Sequence, residues 1–169
     1  VYNTGSYECV KSLLMLEGIV DIYLPDFKYW GKDLAQKYSN AEDYRERASA
    51  AIAEMLRQTG APVMDEATGL MKKGVIVRHL VLPGQVEDSK KILKYLYETY
   101  KDDIYISILN QFTPVGDMSS YPELTRTLTP EEYDEVVDYA IDLGVEYGFV
   151  QEEGTASESF IPEFDLEGI

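Results

Sequence analysis

The sequence predicts an α/β fold: parallel strands joined by helical crossovers. Three observations carry this. Strand-like apolar runs alternate with amphipathic helical stretches roughly four times. The run at residues 75–82 is β-branched and almost wholly apolar, the pattern of a strand covered on both faces. Several runs end in polar residues at their carboxyl end, where α/β folds build their sites.

The elements follow in order. Residues 1–3 read as the end of a strand. Residues 6–17 read as a helix with Cys9, Leu13 and Leu16 on one apolar face, stopped by Gly18. Residues 19–27 form the next strand. A helix over 40–59 is expected from the capping-box spacing of Ser39 and Glu42 and from the stripe Tyr44, Ala48, Ala51, Ile52, Met55 and Leu56. Gly60 and Pro62 end it. The strand at 75–82 closes on Pro83-Gly84, and Asp88 or Ser89 caps a helix that turns Ile92, Leu93, Leu96, Tyr97 and Tyr100 inward. Residues 104–110 form a strand. Thr129-Pro130-Glu131-Glu132 combines a cap, a proline at the first helical position and a glutamate at the third. Tyr133, Val136, Val137, Ala140 and Ile141 are then expected in the core, with Gly144 as the stop and a short strand at 148–151. Residues 1–151 make one domain, and residues 152–169 an acidic, irregular tail with Phe160, Ile161 and Phe164 as docking anchors. Three stretches, 29–40, 61–74 and 113–128, read as insertions.

Thirty-one acidic residues against 15 basic ones give a formal charge of −16. Such a chain repels a phosphate backbone and an anionic membrane surface, so neither nucleic acid nor membrane is an expected partner. No apolar run is long enough to span a bilayer. One cysteine and one histidine exclude a disulfide framework and a His/Cys metal site within this chain, and fit a cytoplasmic location. Cys9 is expected to be a buried structural thiol. The abrupt start at Val1, without Met, suggests a piece of something longer.

The candidate site residues sit at strand ends. Asp26 and Lys28 lie two apart at the end of the apolar run from Ile22, on one face with Ile22 and Leu24. A carboxylate and an ammonium are costly to desolvate, so that end is expected to open into a site; the plainer alternative is a surface ion pair. Arg78 and His79 are adjacent, so only one can face a cleft. Arg78, with its permanent charge and planar fork, is favoured. Asn110 and Gln111 end one strand, and Asn3 and Thr4 another. No Walker loop, dinucleotide fingerprint or nucleophile elbow is present.

Four segments occur in a telling order: Asn3-Thr4-Gly5, Leu24-Pro25-Asp26-Phe27-Lys28, Arg78-His79-Leu80-Val81-Leu82-Pro83-Gly84 and Leu109-Asn110-Gln111-Phe112-Thr113-Pro114. Together with the tail Gly154-Thr155-Ala156-Ser157-Glu158-Ser159-Phe160-Ile161-Pro162, this order resembles the carboxyl-terminal half of radical S-adenosylmethionine (SAM) enzymes, closest to pyruvate formate-lyase activating enzymes. The resemblance implies a partial, TIM-like (β/α) barrel binding SAM across the carboxyl ends of its strands. It also implies a 4Fe-4S cluster that cleaves SAM to a 5′-deoxyadenosyl radical, which abstracts hydrogen from a glycyl radical enzyme or another protein substrate. By position, Asp26 and Lys28 correspond to the Asp-x-Lys that touches SAM, and Arg78 to the arginine before the proline-glycine turn. Asn3 and Thr4 fall in the polar end of the first strand, Asn110 and Gln111 near the adenine side. The family's three-cysteine cluster motif and its Gly-Gly-Glu segment are absent and would lie upstream of Val1, so this piece alone is expected to be inactive. The alternatives are a non-catalytic α/β domain binding an acidic metabolite or a protein, and an aldolase-like enzyme using Lys28 as a Schiff base.

Overall fold

Five strands run parallel and lie side by side in chain order: β1 (Tyr2–Thr4), β2 (Ile22–Pro25), β4 (Met71–Leu80), β5 (Tyr105–Leu109) and β6 (Gly148–Val150). The computed structural model describes residues 1–151; the expected tail and its three anchors lie outside the described residues. Between the strands come α1 (Val10–Leu13), α2 (Lys32–Ser39), α3 (Tyr44–Thr59), α4 (Val86–Tyr100) and α5 (Pro130–Leu143). This is the expected α/β architecture with parallel strands. The sheet is open: among the described residues β1 and β6 are its two edges, and hydrogen bonds do not close it into a barrel.

The strands explain why only one face is covered. Along β2 and its continuation, Tyr23, Pro25, Phe27 and Tyr29 are buried while Ile22, Leu24 and Asp26 are half-buried. In β4, Val75, Val77 and His79 are buried and Ile76, Arg78 and Leu80 half-buried; in β5, Ile106 and Ile108 are buried between half-buried Tyr105, Ser107 and Leu109. The buried set meets the apolar stripes of α3 (Ala48, Ala51, Ile52, Met55) and α4 (Ile92, Leu93, Leu96). The other set lines a face that no helix covers. Period-two alternation therefore sorts the sheet into a core face and an open face.

Several expectations are corrected. The first helix is only one turn long, followed by a 3-10 turn at Leu14–Leu16, and Cys9 is exposed rather than buried. Ser39 and Glu42 do not form a capping box: residues 29–40 hold α2, whose left-handed C-cap is Asn40, so the chain turns there before α3 begins. Residues 61–74 are a hairpin rather than an insertion. Its first strand, β3 (Val63–Met64), pairs antiparallel with the start of β4. Asp65 builds the turn by accepting from the amides of Ala67 (3.0 Å) and Thr68 (2.9 Å). The cap of α4 is Gln85, and the expected caps Asp88 and Ser89 lie inside its first turn. Ile141 stands 64% exposed on the outer flank of α5, while Tyr133, Val136 and Ala140 of the same stripe are buried. The capping box at Thr129 and Glu132 is formed as expected.

Candidate functional site at the strand ends

A cleft of about 260 Å³ opens where the carboxyl ends of β2, β4 and β5 meet. Asp26, Lys28, Arg78 and Gln111 supply its polar wall; Tyr29, Leu80, Leu82, Leu109 and Phe112 supply the rest. The alternation on the open face puts Asp26, Lys28, Arg78, Leu80, Leu82, Leu109 and Gln111 together. Arg78, Leu80 and Leu82 follow at intervals of two along one chain segment, and Leu109 and Gln111 along another.

Register brings the charges into contact. Asp26 lies beside Arg78 in a parallel bridge just past β2, and the Phe27 amide donates to the Arg78 carbonyl at 2.8 Å. The Arg78 guanidinium donates from Nε (2.9 Å) and Nη2 (2.6 Å) to Asp26 Oδ1, and from Nη2 to Asn3 Oδ1 (2.7 Å). Lys28 Nζ is 3.7 Å from Asp26 Oδ2, an ion pair beyond hydrogen-bond reach. Two cations thus face one carboxylate, and the ammonium keeps its donors for something else. In a chain with a net charge of −16, the cleft is locally positive.

Of the expected site residues, Asn3, Asp26, Lys28 and Arg78 are brought together, and Gln111 joins them across the cleft. Thr4 and Asn110 do not line it. Each is one residue out of phase: Thr4 pairs with Pro25 on the covered side, where its buried hydroxyl donates to Glu8 and accepts from the Ser6 amide at 3.0 Å. The Asn110 amide donates to Gln151 Oε1 at 2.9 Å, and Gln151 Nε2 donates to Gln111 Oε1 at 3.2 Å. His79, next to Arg78, points under the helices, its Nδ1 2.7 Å from the Phe27 carbonyl.

Sequence reasoning missed the apolar wall and the groups behind the sheet. Leu80, Leu82 and Leu109 were findable by counting in twos from Arg78 and Gln111. Tyr44 and Asp88 were not, because their role depends on how α3 and α4 dock. The Tyr44 hydroxyl accepts from the Lys28 amide (3.0 Å) and lies 2.9 Å from the Asp26 carbonyl and 3.0 Å from that of Gly5. Burial raises its pKa well above the ordinary phenol range, so it remains a hydroxyl. Asp88 accepts from the amides of Trp30 (2.8 Å) and Gly31 (2.9 Å).

Among the described residues no group of three His, Cys, Asp or Glu side chains is arranged to hold a metal ion, and no helix is long and apolar enough to cross a membrane. Comparison with known proteins gives one informative relative. An uncharacterized protein of Methanocaldococcus jannaschii is 26% identical over 141 residues, covering 83% of this chain and 37% of that protein. The chain therefore spans little more than a third of the curated relative it matches. No family model matches the chain, and no solved structure matches it significantly.

Proposed function

We propose that this chain is the carboxyl-terminal part of a radical SAM enzyme resembling the activating enzymes, and that its cleft takes part of SAM. The observation that carries the reading is the convergence of Asp26, Lys28 and Arg78 on one mouth at the strand ends. The ordered strand-end motifs support it. In this reading the open sheet is part of a (β/α) barrel, and the enzyme works in the cytoplasm on a glycyl radical enzyme or another protein.

The residues present fit SAM in part. The cleft offers two cations for a carboxylate, a carboxylate oxygen for a hydroxyl, and an apolar wall for a nucleoside. Its volume lies just below the range of about 300–1,000 Å³ for enclosed small-molecule sites, so the ligand would extend onto the open face. Lys28 and Arg78 would hold the carboxylate, and Asp26 would orient Arg78 while accepting at Oδ2. Bound SAM supplies, on reductive cleavage, a hydrogen-abstracting radical. The 4Fe-4S cluster does not fit this chain, whose single cysteine cannot hold it. Its ligands would come from outside the sequence, and no side chain here is assigned a catalytic role.

Calorimetric titration with SAM tests the reading. The chain is expected to bind, and Lys28→Ala to weaken binding about tenfold, the worth of one charge-assisted hydrogen bond. Unchanged affinity, or no binding by the unaltered chain, refutes it. Reconstitution with iron and sulfide is expected to leave the chain without a stoichiometric cluster; assembly of one would contradict the assignment of its ligands elsewhere. A second reading, a binding domain for an anionic metabolite, is favoured by the local excess of positive charge.

A further inference from the structure

Regular pairing of β2 ends at Pro25, yet the cleft's carboxylate and ammonium follow it, at Asp26 and Lys28. A segment that leaves a sheet must find other partners for its backbone. The sheet serves the first two amides: Asp26 N donates to the Thr4 carbonyl (2.9 Å) and Phe27 N to that of Arg78. After that, side chains take over, and they come from three different elements. Tyr44 of α3 reaches the Lys28 amide and the Asp26 carbonyl, His79 of β4 the Phe27 carbonyl, and Asp88 of α4 the amides of Trp30 and Gly31. None of the three lines the cleft.

Tyr44 and His79 are polar groups buried in the core, where an aliphatic residue would be cheaper to bury, and Asp88 is half-buried. His79 shows the cost most clearly. Its Nδ1 must carry the hydrogen, because the Phe27 carbonyl only accepts. That leaves Nε2 a bare acceptor, fully buried and without a partner. A leucine would carry no such atom of its own, but would leave the Phe27 carbonyl without the Nδ1–H. What the imidazole adds is one hydrogen bond to the residue between Asp26 and Lys28. Asp88 likewise spends both oxygens on the turn just beyond Lys28 rather than capping its own helix.

We propose that Tyr44, His79 and Asp88 are positioning residues that fix the aim of Asp26 and Lys28 from the covered side of the sheet, so that the affinity of the cleft for its ligand is set by groups the ligand never touches. The inference rests on the site reading above for its ligand, but not for its geometry. Small misplacements of binding groups weaken ligands strongly.

Two readouts keep the two ideas apart. The first needs no ligand: the rate of reductive methylation of Lys28, relative to the other lysines, read by mass spectrometry, with amide exchange at Lys28, Trp30 and Gly31. The second is SAM affinity. The variants are Tyr44→Phe, Asp88→Asn, His79→Leu and His79→Gln, the last keeping an N–H donor for the Phe27 carbonyl. The first three are expected to change the relative Lys28 rate at least twofold, speed the adjoining amides and weaken SAM about tenfold. His79→Gln is expected to restore both readouts towards the unaltered chain. Unchanged Lys28 reactivity in the variants overturns the proposal. So does an equal loss in His79→Leu and His79→Gln that merely tracks melting temperature. If His79→Leu does not fold, Tyr44→Phe and Asp88→Asn decide. If the unaltered chain binds no SAM, the ligand assignment fails, and the positioning role is decided by the methylation and exchange rates alone.

Discussion

His79 and Arg78 are neighbours with opposite fates, and the difference is one of strand geometry. Arg78 turns to the open face and meets Asp26; His79 turns under α4 and is sealed from water. Burial lowers the His79 pKa below its ordinary 6.5, so the ring stays neutral. A histidine depressed in the folded state contributes stability above the unfolded value, and that contribution is lost as pH falls, because the unfolded chain takes up the proton first. Denaturant titrations are therefore expected to show stability declining below about pH 6.5, and His79→Gln to flatten that decline. Gly74 is a second decisive residue. It sits at φ +142°, and a Cβ there would lie 3.1 Å from Pro62 Cα. Gly74→Ala is expected to cost about 1–3 kcal/mol, measured by urea unfolding, with the hairpin of β3 and β4 the first part to open.

Among the elements, α5 was the most legible in the sequence, because every signal for its start is local. Thr129 accepts from the Glu132 amide, and Glu132 reaches back to the Thr129 amide. Thr129→Ala is expected to cost about 1 kcal/mol of stability in thermal unfolding. Glu132 is held down to about 2, from its ordinary 4.5, mainly by Arg126, which donates to both of its oxygens. A carboxyl depressed in the folded state stabilises above its unfolded value, so this contribution should fade as pH falls from about 4.5 to about 2. Arg126→Ala should narrow that window. The elements that sequence reasoning missed depend on distant partners. Nothing local in Gly31-Lys32-Asp33 announces α2, whose N-cap residue Gly31 donates its amide to Asp88, 57 residues on. β3 is two residues long and exists because β4 extends beneath it. The alternation of Ile22 to Lys28 placed Asp26 and Lys28 correctly on one face, whereas the pairs Asn3-Thr4 and Asn110-Gln111 each put one member on the other side of the sheet.

Seen whole, the molecule sets a small positive mouth in a strongly negative body. Glu123, in the segment after β5, joins Lys37 and Tyr38 of α2, so that segment is tied to the one that follows β2. Lys37 and Tyr38 hold the Glu123 carboxyl at about 2, and Glu123→Gln is expected to speed amide exchange in residues 113–128 with little effect elsewhere. Charge at long range acts differently from charge in the cleft. Two cations govern the last few ångströms of docking; the remaining carboxylates govern the approach, within a screening distance of about 8–10 Å at ordinary salt. SAM carries one net positive charge, so its arrival should slow as salt is added. A dianionic metabolite would arrive faster under the same change, because salt would quiet the repulsion before Lys28 and Arg78 could take hold. The sign of the ionic-strength effect on stopped-flow association thus distinguishes the two ligands, and it follows from the contrast between a mouth and the body that surrounds it.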